Sequence, residues 1–277
     1  MISSPGGPRI ANIRLHPIKS LDPVHVKEAR IGPGGGLEFD RAWALYSVDG
    51  QWVNGKRTAA IHLIRAAFAP DLSSATLSVP GDRRKIPATT FAFPGDTAAA
   101  SKWFSEFFDQ PITVRHSPEG FPDDTIAYGP TIVSTASLQS VCELFPGMDL
   151  DEARQRFRTT LEIDGVPAFW EDQLFGEEER SVDRLAVTKN TVRFRIGEVN
   201  FEGSHPCARC PVPPRDPRTG EIIPGFQKIF SDYRRSHIPA WCPEARFDHY
   251  YRFATNTRMA STETGKLLRV GDLLSLA

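Results

Sequence analysis

The chain has 277 residues, 40% hydrophobic and 24% charged, enough to bury a full core in one large or two modest domains. Thirty-three Lys and Arg against 34 Asp and Glu leave a formal net charge of -1, which excludes a general polyanion binder while leaving room for a local basic pocket. Residues 1–8 lack the basic flank and apolar core of a signal peptide, and no apolar run approaches the roughly 18 residues of a spanning helix, so a cytoplasmic protein is expected.

In chain order, short apolar runs split by Gly, Pro and Asp predict antiparallel strands over 9–15, 24–31, 41–48 and 61–68, then around 76–79 and 90–93. A helix is predicted from Asp96, its cap, to Phe108, with Ala100, Trp103, Phe104 and Phe107 as a core-facing stripe. A second helix is predicted from Ser134 to about Phe145, placing Cys142 among core residues, and a third over 151–156. Strands return at 160–163, 184–187, 192–196 and 199–201, and the Pro- and Gly-rich stretch 203–225 reads as loop. The C-terminus reads as two strands around Gly271-Asp272. Pro, Gly and Asp cluster over 117–124, suggesting units 9–116 and 117–277, and the class is β-rich α+β.

The chemistry concentrates in His205-Pro206-Cys207-Ala208-Arg209-Cys210-Pro211. A Cys-x-x-Cys pair has three uses. Structural zinc needs four ligands, and His205, His237, Cys242 and His249 match no familiar spacing. A redox dithiol needs a helix at its first cysteine, which Pro211, Pro213 and Pro214 disfavour. A single thiolate on an extended loop suits a soft metal, with Arg209 favouring deprotonation, and Cys207 then reads as a packed neighbour.

Three further segments carry possible anion grips. Lys19 and Ser20 follow the first strand as a point charge and a hydroxyl donor. Gly34-Gly35-Gly36 precedes Asp40-Arg41, where Arg41 can clamp a phosphate, although no Gly-Lys-Ser or Gly-Lys-Thr follows to make a P-loop. Arg154, Arg156 and Arg158 alternate, and an extended chain would set all three on one face with Phe157 inward.

Taken in order, Pro17-Ile18-Lys19-Ser20, Asp40-Arg41, Arg156-Phe157-Arg158, Cys207-Ala208-Arg209-Cys210 with Asp216-Pro217-Arg218-Thr219-Gly220, and Val270-Gly271-Asp272 resemble the molybdenum-cofactor sulfurase C-terminal (MOSC) family with its N-terminal β-barrel companion. The branch it looks most like is the amidoxime-reducing component type. The resemblance implies a MOSC-type β-barrel domain over 117–277 behind an N-terminal β-rich domain over 9–116. It implies Cys210 as catalytic centre and molybdenum ligand, with Lys19, Ser20, Arg41, Lys56, Arg158, Thr160 and Arg209 binding the molybdopterin cofactor. Gly55-Lys56-Arg57-Thr58-Ala59 stands where the family has Ala-Arg-Gln-x-Pro, and Thr159-Thr160 where it has Pro-Asn. The stretch 126–130 lacks an acidic residue that relatives carry.

The implied activity is two-electron reduction of small N-hydroxylated or N-oxygenated substrates. Because no cysteine cluster for an iron–sulfur domain follows, a separate electron-donor protein is expected. Two rival readings are a sulfur- or cofactor-carrier with a persulfide on Cys210, and a zinc-stabilised binding module.

Overall fold

The computed structural model describes residues 6–81, 86–124, 126–177 and 191–276. The N-terminal part contains β1 (Arg9–Leu15), β2 (Val24–Val26), β3 (Glu28–Arg30), β4 (Trp43–Ser47), β5 (Trp52–Val53), β6 (Arg65–Phe68), β7 (Ser74–Ser78), β8 (Thr89–Ala92), α1 (Thr97–Phe108) and β9 (Ile112–His116). It continues through β10 (Ile132–Ser134), α2 (Thr135–Leu144), α3 (Leu150–Phe157), β11 (Leu161–Asp164), β12 (Val192–Ile196), β13 (Val199–Ala208), α4 (Phe226–Ser236), β14 (Arg252–Arg258), β15 (Leu267–Arg269) and β16 (Leu274–Leu276). The predicted β-rich α+β class holds, with four α-helices among the described residues.

The main sheet has eight strands in the order β16-β12-β13-β14-β10-β11-β1-β2. It joins strands from both sides of the 116/117 division: β1 pairs antiparallel with β11, and β3 pairs with β15 in a separate two-stranded sheet. The expected barrel is only approached. The ladders leave β2 and β16 as edges, and a single Arg9–Leu273 bridge draws the two ends of the curl together. Two three-stranded sheets, β5-β4-β9 and β6-β7-β8, pack with α1.

Apolar burial follows the pattern of the sequence. Ala100, Trp103, Phe104 and Phe107 of α1 pack with Trp43, Leu45 and Val114 in one core. Ile10, Ile13, Phe194 and Phe201 build a second beneath the main sheet. Phe157, Phe226, Phe230 and Phe253 stack in a third, where the Phe157 and Phe253 ring centroids lie 4.4 Å apart. Ser134 caps α2 by accepting from the Ser137 N–H.

Several expectations are corrected. The run 61–68 is not one strand: a 3-10 turn over Ala59–Leu63 buries Ile61 and His62 before β6 starts. Asp96 flanks α1, but its carboxylate accepts from the Ala92 N–H instead of capping the helix. Arg154 and Arg156 lie within α3, capped by Asp149, and not in an extended run; Arg158 ends that helix in the left-handed region, while Phe157 does pack inward. The loop expected from Gly203 begins later, because β13 continues to Ala208 against β14. The two C-terminal strands form, but each pairs elsewhere, β15 with β3 and β16 with β12. The strand expected over 184–187 lies outside the described residues. No helix among the described residues is long and apolar enough to cross a membrane.

Candidate functional site

The site is assembled where β1, β5, α3 and β13 run out and just ahead of the start of β4. After Leu15 the chain turns through His16-Pro17-Ile18, and a parallel bridge from Ile18 to Trp43 fixes the turn, with the Lys19 N–H donating to the Trp43 carbonyl at 2.8 Å. That anchor sends Lys19 inward. Its Nζ donates to the Phe121 carbonyl at 2.7 Å, lies 2.9 Å from Asp123 and sits 4.0 Å from the centre of the Trp52 ring. Burial pushes its pKa from the ordinary 10.5 down to about 8, against the opposing pull of Asp123. The Ser20 hydroxyl accepts from the Gly55 N–H at 3.1 Å, and the Asn54 carboxamide accepts from the Lys56 and Arg57 N–H groups. Gly55 is required there, since a Cβ at that position would stand 2.9 Å from His62 Nε2. Lys56 is thereby aimed at Asp123, 3.0 Å away.

Arg41 and Arg158 meet across the same space. Arg41 pairs with its neighbour Asp40 and donates to the Arg158 carbonyl at 3.2 Å. Asp40 also accepts from the His16 N–H at 2.8 Å, and despite its burial the Arg41 charge holds its pKa down to about 2. The buried His16 ring is neutral, because burial lowers its pKa to about 3. Arg158 donates to the Leu21 carbonyl at 2.8 Å, and its pKa falls to about 10 through burial and then through the nearby Arg41 charge. Ser20, Arg41 and Arg158 have φ of 75°, 55° and 52°. Three non-glycine residues in the left-handed region on one wall mark a site where geometry is held at the expense of backbone energy.

The opposite wall comes from β13 and β14. Arg209 continues their ladder, its N–H donating to the Tyr251 carbonyl at 3.0 Å. Its guanidinium donates to Cys207 Sγ at 3.1 Å and to the Phe157 carbonyl, and its Nε has no partner. Arg209 thus holds Cys207, while Cys210 follows beyond the strand end, half-buried and free. Among the described residues, no three His, Cys, Asp or Glu side chains gather in a way that could hold a metal ion, so the four-ligand zinc arrangement is not formed there.

Lys19, Ser20, Arg41, Lys56, Arg158, Thr160, Arg209 and Cys210, the residues singled out from sequence, all line one cavity of about 460 Å³. Six cationic side chains face it against four carboxylates. A free thiol in a cation-rich cavity can bind an anion and present one soft ligand beside it. Sequence reading missed Asp123, Asp124, His62, His205 as a cavity group, and Asn256. Asp124 lies just upstream of the stretch 126–130 that lacks an acidic residue; its Oδ1 accepts from the Ile126 and Ala127 N–H groups and its Oδ2 faces His205 at 2.8 Å. The Asp123-Asp124 pair was the available signal, set aside as part of a boundary.

Residues 7–111 match the MOSC N-terminal beta barrel domain. A molybdenum cofactor sulfurase of Drosophila willistoni is 25% identical over 243 residues, an alignment covering 78% of this chain and 28% of that protein. The chain therefore spans little more than a quarter of the length of the curated relative it matches. Over residues 7–111, then, the chain is similar to the MOSC N-terminal beta barrel domain, and over most of its length it is similar to this molybdenum cofactor sulfurase.

Proposed function

We propose that the cavity binds the molybdenum cofactor, with the Cys210 thiolate as the metal's protein ligand, and that the protein reduces N-hydroxylated or N-oxygenated small molecules. What carries the reading is the convergence of one half-buried thiol and several cations, from Lys19 to Cys210, on a single cavity. The residues fit the group. A thiolate suits a soft metal centre, the excess of cations suits an anionic phosphorylated pterin, and the volume lies within the roughly 300–1,000 Å³ of small-molecule sites.

In this reading Lys19 and Lys56 grip the phosphate as point charges, and Ser20 keeps the 54–58 turn that carries Lys56 against them. Arg41, oriented by Asp40, and Arg158 clamp the pterin side of the cavity. Thr160 supplies a hydroxyl to the same wall, and Arg209 secures the Cys207–Cys210 loop through its bond to Cys207. The bound group supplies a two-electron redox centre, and the electrons come from a separate donor protein.

The test is metal analysis and pterin fluorescence on protein made in a host that synthesises the cofactor. About one molybdenum per chain is expected. Cys210→Ser should abolish N-hydroxylamine reduction and leave the circular dichroism unchanged. Well-folded wild-type protein with neither metal nor pterin would overturn the reading.

The sulfurase relative favours a second reading, in which Cys210 carries a persulfide for delivery. Mass spectrometry decides between the two. One extra sulfur atom on Cys210 in protein lacking pterin supports carriage.

A further inference from the structure

The cavity contains a titratable group that cofactor binding does not use. His205 lies on β13, and its Nε2 is 2.8 Å from Asp124 Oδ2 and 3.0 Å from Asn256 Nδ2. Asn256 Nδ2 also reaches Asp124 Oδ2 at 2.8 Å. The other ring nitrogen, Nδ1, is 2.8 Å from Ser204 Oγ, which is buried behind the strand. His205, Asp124 and Asn256 all line the cavity, so Nε2 is the nitrogen on its side.

This arrangement satisfies the imidazole in both protonation states. With Nε2 protonated, it donates to the Asp124 carboxylate, which the His205 contact and two backbone N–H groups hold ionised although burial works against them. With Nε2 bare, the Asn256 amide donates to it instead. Nδ1–H donates to Ser204 Oγ throughout. A histidine with partners for only one state must rearrange when it loses a proton. Here a proton can leave Nε2 toward the cavity with every partner in place. The nearby charges leave the ring's proton to Asp124. Arg246 donates to the Ser204 carbonyl and Arg252 to the Pro206 carbonyl on either side of His205, Arg252 is also paired with Asp248, and Cys207 is held by Arg209.

We propose that His205, held by Asp124, Asn256 and Ser204, carries the proton consumed when the N–O bond of the substrate is cleaved. This rests on the N-reductase reading. An N-hydroxylated substrate R–NH–OH takes two electrons from the separate donor protein and two protons, the N–O bond breaks, an N–H bond forms, and the oxygen leaves as water. One of those protons passes from His205 Nε2 to the departing hydroxyl, and His205 is reprotonated from solvent at the cavity mouth.

The test uses the cofactor-loaded protein. His205→Gln retains an amide that can donate to Asp124 but carries no exchangeable charge. Its kcat for N-hydroxylamine reduction should fall by about 100-fold with KM little changed. The alkaline limb of the pH profile should disappear, while molybdenum and pterin contents match wild type. Independently of activity, the His205 Nε2–H proton resonance, carried downfield by its bond to the Asp124 carboxylate, should move upfield in Asp124→Asn. A loaded His205→Gln protein with the wild-type rate and pH profile would sink the relay alone, as would a His205 Nε2–H resonance indifferent to Asp124→Asn. Loaded wild-type protein that reduces no N-hydroxylated substrate strikes the underlying reading and takes the relay with it.

Discussion

Lys19→Met should make the ligand-free protein more stable while removing its anion site. Lys19 is 5% exposed, and its pKa is lowered from 10.5 to about 8. A lysine whose folded pKa lies below its unfolded value destabilises the fold fully below the folded pKa, and the penalty fades as pH rises toward the unfolded one. The interval corresponds to about 3 kcal/mol at pH 7 and less than about 1 kcal/mol at pH 10. Methionine keeps the length and apolar stem, but half-exposed Asp123 loses a partner, which costs up to about 1 kcal/mol. The net expectation is a gain of about 2 kcal/mol at pH 7 and none at pH 10. Urea unfolding measures it as a midpoint raised by roughly 1 M for an m-value of about 2 kcal/mol/M. Pyrophosphate at 100 times its Kd should add about 2.7 kcal/mol to wild type and nothing to the variant. A variant less stable than wild type at pH 7, or one with the same gain at both pH values, would refute the claim that Lys19 is held charged against its burial for the sake of an anion.

Other expectations concern different links of the same chain of causes. Asp123→Asn removes the carboxylate that bridges Lys19 and Lys56, so calorimetry should find pyrophosphate bound about tenfold more tightly; weaker binding would mean that the carboxylate supports the site. Glu171 is 1% exposed, and burial followed by the Asp172 charge pushes its pKa from 4.5 up to about 7. Its ionisation therefore destabilises the fold as pH rises through that range, and Glu171→Gln should stabilise by about 3 kcal/mol at pH 8 but less than about 1 kcal/mol at pH 5. At Gly203 a Cβ would stand 1.6 Å from the Leu174 carbonyl oxygen. Gly203→Ala should destabilise by more than about 4 kcal/mol and yield little soluble protein; normal expression with an unchanged unfolding midpoint would contradict the packing of β13 on the Trp170–Leu174 turn.

What could be read from the sequence was whatever is written locally. Alternating and helix-spaced apolar residues located β1, α1 and α2, and residue chemistry marked Lys19, Arg41 and Cys210. The residues that escaped depend on pairings distant in sequence. Nothing beside Asn256 indicates that β14 will lie against β13, and the Pro-rich run after Cys210 hid the strand that precedes it. Arg154 and Arg156 read as an extended run because alternation of charge was weighed above the Asp149 cap. Helix α4 had a signal, since Phe226, Phe230 and Tyr233 recur at spacings of four and three, but charged residues between them diluted it. His205 looked like a potential zinc ligand; only the fold shows it beside Asp124.

The interleaving of strands made early and strands made late bears on when the protein can receive a ligand. Strand β3 finds its partner in β15, and Arg9 meets Leu273. Chains emerge from the ribosome N-terminus first, at about 5–20 residues per second. The earliest strands therefore wait for the last ones before the sheet is complete. The cavity has the same property, because its wall runs from Lys19 to Asn256. A nascent chain presents Lys19 and Arg41 with no thiol opposite, and Cys210 appears before Asn256 has been made. Ligand loading is thus a step that follows synthesis of β14, and a chain stalled or cut before β14 has no pocket to fill.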